Sequence, residues 1–142
     1  MTITGPNRGI GRWLSPVIVE LLDDGVNVRV VTEFTYEDPD ARRWTVPAGT
    51  VSDGASIPRA LWSTVGSPLT GRYRRAAVLH DYLYRSQIVD KDTADRVLLD
   101  AMHGDGCDDE LAQVIYDGVH LCGESSWTAD GAVLNAGRVV HA

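Results

Sequence analysis

Gly71-Arg72-Tyr73-Arg74-Arg75-Ala76-Ala77-Val78-Leu79-His80-Asp81-Tyr82-Leu83-Tyr84-Arg85 is where the chain changes period, and that change decides the fold. Tyr73, Ala76, Ala77, His80, Leu83 and Tyr84 recur at i, i+3, i+4 and i+7, the stripe of an amphipathic helix over about 71–85, with Thr70 placed as its N-cap. Upstream the period is two. Val26, Val28 and Val30 alternate with Asn27 and Arg29, and the run Val17 to Leu22 precedes them across Asp23-Asp24-Gly25, which reads as a hairpin turn. Glu33 to Tyr36 alternates again, Asp38-Pro39-Asp40 turns the chain, and Arg43 to Val46 resumes a strand that Pro47-Ala48-Gly49 ends.

Downstream, Asp92 reads as the cap of a second helix with an apolar stripe of Ala94, Val97, Leu98, Ala101 and Met102, closing at Gly104 or Gly106. Asp108 and Asp109 open a third that carries Leu111, Val114, Ile115, Val119 and Cys122. The expected architecture is one α+β domain over 1–142: an antiparallel β-meander in a strand-rich 1–52, a loop over 53–70, about three α-helices over 71–123, and a Gly- and Ala-rich segment 124–142 left unassigned.

Composition narrows the function. The formal net charge is −7, which disfavours nucleic acid as a partner because the phosphate backbone would be repelled. No apolar run nears the ~20 residues of a membrane span, and the N-terminus lacks the order of a secretion signal, so a cytoplasmic product is expected. Cys107 and Cys122 flank one helical segment, about 22 Å apart along its axis, beyond disulfide reach. Charge is uneven: residues 53–89 hold five basic against two acidic groups, whereas 90–142 hold three against eleven.

The middle segment concentrates the chemistry. His80 shares the face of Ala76, Ala77, Leu83 and Tyr84 and so points into the helix packing, where a ring nitrogen needs an acceptor. Asp95, at the margin of the second helix's stripe, supplies one, while Asp100 falls on the opposite, solvated side. A buried carboxylate that fixes the tautomer of His80 makes it a general base. Asp81 lies about 100° around the helix from His80 and faces Asp53, so two carboxylates with carbonyls such as that of Gly54 form an oxygen-rich site suited to calcium. Arg72, Arg75 and Arg85, with Arg74, make a positive rim for an anionic substrate. Asp117 and His120 read as a solvated pair, and His103 as a charge at a helix C-terminus. Trp13, Trp44, Trp62 and Trp127 read as core or interface anchors.

Two resemblances follow from these residues. Val46-Pro47-Ala48-Gly49, Asp53-Gly54-Ala55-Ser56-Ile57-Pro58-Arg59, Ala76 to Tyr84, Ala94-Asp95 and Ala101-Met102 resemble an uncharacterised domain family of bacteriophages and prophages over about residues 40–120. The same motif order is similar to the secreted calcium-dependent phospholipases of the A2 class, with Ala55, Ala76, Ala77 and Leu83 where those enzymes carry cysteines. That resemblance implies His80 as base, Asp81 and Asp53 as Ca2+ ligands, and Asp95 and Tyr84 as orienters of His80. The reading is a phage-encoded calcium-dependent ester hydrolase acting on lipid or cell-envelope material. Its alternative is a non-enzymatic virion or accessory protein that meets other phage proteins, in which His80 and Asp95 are a structural pair.

Overall fold

The computed structural model describes residues 10–53 and 71–140. Gly54, Ser56, Trp62 and Thr70 lie outside the described residues.

Among the described residues, six short strands come first: β1 (Arg12–Trp13), β2 (Val19–Leu21), β3 (Val28–Val30), β4 (Phe34–Glu37), β5 (Arg43–Val46) and β6 (Val51–Ser52). They form two antiparallel three-stranded sheets, in the orders β1-β4-β5 and β2-β3-β6. The expected single meander is therefore divided, because Val31 to Glu33 carry the chain from one sheet to the other and Pro47 to Thr50 carry it back. Both expected hairpins are present: Val19 pairs with Val30 and Phe34 with Val46. Gly25 turns the first at φ 75°, a conformation costly for a residue with a Cβ. Asp38 holds the second turn, accepting the amides of Asp40 and Arg42 and the Trp44 indole N–H at 2.9–3.0 Å. Alternation buries Val28, Val30, Phe34, Tyr36, Trp44 and Val46 on the inner faces.

After a 3-10 turn at Gly71–Tyr73 come α1 (Arg74–Ser86), α2 (Lys91–Gly104), α3 (Asp109–Cys122) and α4 (Glu124–Val140). The fold is α+β. Asp90, not Asp92, caps α2, accepting the Thr93 amide at 2.8 Å, so Asp92 stands in the first turn with its side chain in solvent. Asp108 caps α3 as expected, accepting the Leu111 amide at 3.1 Å. The segment beyond Gly123 is helical, and Trp127 meets the Tyr84 ring edge-on at 5.2 Å.

Arg75 with Asp105 at one end and Tyr84 with Asp95 at the other set α1 and α2 antiparallel. Their shared apolar faces bury Leu79, Leu83, Leu98 and Met102 completely or nearly so, each worth about 1.5–3 kcal/mol of transfer. Asp100 is a correction: it is only 8% exposed, on the side of α2 turned to the β4–β5 hairpin, with Arg96 3.6 Å away. Cys107 and Cys122 are free thiols.

Candidate functional site

Ala76 and Ala77 keep α1 thin one turn before His80, and α2 packs close enough there for direct side-chain bonding. His80 Nε2 is 2.8 Å from Asp95 Oδ1, and the Tyr84 hydroxyl donates to the same oxygen at 2.7 Å. All three side chains are fully buried. The other oxygen, Oδ2, accepts from Lys91 Nζ at 2.9 Å and has His120 Nδ1 3.6 Å away. An ionised carboxylate only accepts, so the His80 proton sits on Nε2, and in the neutral ring Nδ1 is the basic nitrogen. Burial pushes the Asp95 carboxyl up, but bonds from His80 and Lys91, with Tyr84, outweigh it and hold the group below its ordinary value. Burial and the Asp95 carboxylate push the Tyr84 phenol far up, so it stays a donor.

Glycine makes room for this arrangement. A Cβ on Gly123 would stand 2.8 Å from Tyr84 Oη and 2.5 Å from the Val119 carbonyl oxygen. Lys91 also donates to the His120 carbonyl at 3.0 Å, which ties the first turn of α2 to the last turn of α3, where orphan carbonyls favour a cation.

The second group lies about a quarter-turn around α1. Arg85 brings Asp53 and Asp81 together: its guanidinium is 3.1 Å from Asp53 Oδ1 and 3.4 Å from Asp81 Oδ2, and it donates to the Val51 carbonyl at 2.5 Å. Asp81 is 1% exposed, and among the described residues its Oδ2 accepts no hydrogen bond. Burial therefore raises its carboxyl above the ordinary value, against the pull of Arg85 and the neighbouring Ser52 hydroxyl. Burial raises Asp130 on α4 as well, helped by the charges of Asp81 and Asp53.

The expected rim arginines are partly engaged. Arg75 pairs with Asp105 and lies 4.5 Å over the Trp13 ring, while Arg72 reaches the Asp105 carbonyl at 3.4 Å. Arg85 faces the two acids while its side chain stays partly exposed. His120 also departs from expectation: Gln113 takes Asp117 at 2.8 Å, and His120 turns to Asp95 and Asp92. Asp92, Asp95 and His120 come together closely enough to hold a cation, but the Lys91 ammonium already occupies the free oxygen of Asp95. Lys91 is not among the residues that the sequence singles out, and His120 is read there only as one of a solvated pair with Asp117. The only local signal for Lys91 was its i, i+4 spacing to Asp95.

Asp53, His80, Asp81, Tyr84, Arg85, Lys91 and Asp95 fall within a matched family. The family of proteins of unknown function designated DUF1353 matches residues 28–119, about two thirds of the chain. The chain belongs to the DUF1353 family. Two curated relatives, both uncharacterised proteins of Sinorhizobium fredii, are similar over most of it: y4jT at 35% identity over 73% of this chain and 31% of its own length, and y4iH at 31% over 75% and 44%. The DUF1353 chain thus spans less than half of either relative. No solved structure matches it.

Proposed function

We propose that this DUF1353 protein is a calcium-dependent ester hydrolase of the phospholipase A2-like kind, with His80 as general base and Asp95 and Tyr84 as its orienters. The observation that carries the reading is the buried trio itself: one carboxylate oxygen takes both His80 Nε2 and the Tyr84 hydroxyl, at 2.8 and 2.7 Å. Asp95 holds the ring, fixes the proton on Nε2 and stabilises the charge that appears when Nδ1 takes a proton from water. Because the ring exposes no surface, turnover requires local opening of the packing around it.

The donors fit a hard cation. Asp53 and Asp81 come from different segments, and among the described residues the buried Asp81 Oδ2 lacks a hydrogen bond. A calcium ion held by these two carboxylates would polarise an ester carbonyl and offset the charge forming on its oxygen. Arg85 is the chain's own cation there, and the metal competes with it. The substrate is an ester in lipid or cell-envelope material, and the setting is a phage or prophage one, in host cytoplasm or virion.

The competing reading is a non-enzymatic accessory or virion protein, and the complete burial of His80 favours it. Hydrolysis of short-chain phospholipid and p-nitrophenyl esters, measured with and without calcium, separates the two. The hydrolase reading expects calcium-dependent turnover that His80→Asn abolishes in a folded protein, and tighter calcium binding by Arg85→Gln. Absence of turnover on every ester, with His80→Asn unfolding the chain, leaves the structural reading.

A further inference from the structure

Away from the dyad, two cavities meet on the far side of α1. One, of about 470 Å³, is an apolar groove walled by Ile18, Leu21, Val28 and Val78 and ending at Arg74 and Arg75. The other, of about 610 Å³, is polar and carries Arg72, Arg74, Arg75 and Asp105, and Val17 lines both. Each is of the size that takes small ligands.

The apolar wall is open to solvent, with Ile18 47% and Leu21 81% exposed on and beside the edge strand β2. Charge at the mouth is equally unusual in a chain of net −7: three guanidinium groups face one carboxylate. Asp105 neutralises Arg75, and among the described residues Arg72 reaches a backbone carbonyl and no acid. Arg74 is exposed and has no acid partner among the described residues. An apolar trough that opens onto unneutralised guanidinium groups complements a molecule with a tail and an acidic head.

We infer that this groove binds a single-chain anionic amphiphile, its tail along Ile18, Leu21 and Val28 and its phosphate or carboxylate head on Arg72 and Arg74. The inference goes beyond the hydrolase reading and needs no turnover. Val28 pairs with Ser52 across β3 and β6, so the inner end of the groove borders the strand leading to Asp53. The stripe of α1 that carries Arg74 and Val78 continues to Asp81 and Arg85.

Titration calorimetry of the full chain with dodecyl phosphate below its micelle concentration tests this, with inorganic phosphate and dodecyl maltoside as controls. Saturable one-to-one binding of dodecyl phosphate is expected, weakened roughly tenfold or more by Arg74→Glu and by Ile18→Gln. Both of these positions are exposed, so the variants keep the fold. Inorganic phosphate binding equally well would show a plain anion site, and the maltoside binding equally well a plain apolar patch; either overturns the inference. So would no binding, Arg74→Glu binding undiminished, or a dimer that Leu21→Gln dissociates, since a second copy would then be the occupant of β2.

Discussion

Replacing Lys91 by Met keeps the side-chain stem and removes only the ammonium. Lys91 is 12% exposed, and its Nζ donates to Asp95 Oδ2 at 2.9 Å and to the His120 carbonyl at 3.0 Å. A hydrogen bond to a charged, buried acceptor is worth about 1.5–3 kcal/mol, and a cation at a helix C-terminus adds about 0.3–1. The expected loss is about 2–4 kcal/mol, or about 10 °C in Tm for a chain of this size. Urea unfolding gives the number, and Arg29→Met is the control, because the Arg29–Glu20 pair at 2.7 Å is half exposed and worth under about 1 kcal/mol. The loss should also shrink in an Asp95→Asn background, the signature of coupling between the two groups. A loss no larger than that of Arg29→Met, or full additivity with Asp95→Asn, would refute the assignment of Lys91 as the partner that keeps Asp95 charged.

Gly123→Ala should destabilise by about 1–3 kcal/mol, since the new methyl meets Tyr84 Oη and the Val119 carbonyl; thermal unfolding reads it. Asp95 titrates below its ordinary value of 3.8 in the fold, so its contribution is present above that pH and lost as pH falls through the lowered value. Stability curves from pH 6 to 2 should accordingly be shallower for Asp95→Asn. Asp81 carries the opposite sign: its raised carboxyl favours the fold when protonated, and that contribution fades as pH rises through the raised value. Asp81→Asn should therefore lose less stability at pH 7 than at pH 4, and should abolish any stabilisation by calcium.

The helical half was legible because burial on one side imposes a 3.6-residue stripe, and that stripe alone aimed His80 at a partner helix and Asp81 a quarter-turn away, toward Asp53. Asp95 followed from its place on the second helix, whereas the role of Tyr84 came only from the phospholipase resemblance. Lys91 and His120 did not follow, because their partner depends on where the end of α3 returns against the start of α2, which no local pattern encodes. Arg85, expected on the positive rim, also reaches the strand end at Val51, because a long side chain can swing away from its helix. Strands of two residues, β1 and β6, carry too little alternation to read. α4 has a weak stripe broken by glycines, and Asp100 is buried by tertiary packing rather than by its place on α2.

The claim on which the rest depends is that Asp95 keeps the His80 proton on Nε2 and leaves Nδ1 as the base. Two-dimensional 15N–1H correlation spectra of histidine-labelled protein read this directly. A His80 ring with its Nε2 proton held by Asp95, converting to a mixture of tautomers or to the Nδ1–H form in Asp95→Asn, is the predicted result. A His80 ring carrying its single proton on Nδ1 in the unmodified protein would contradict it.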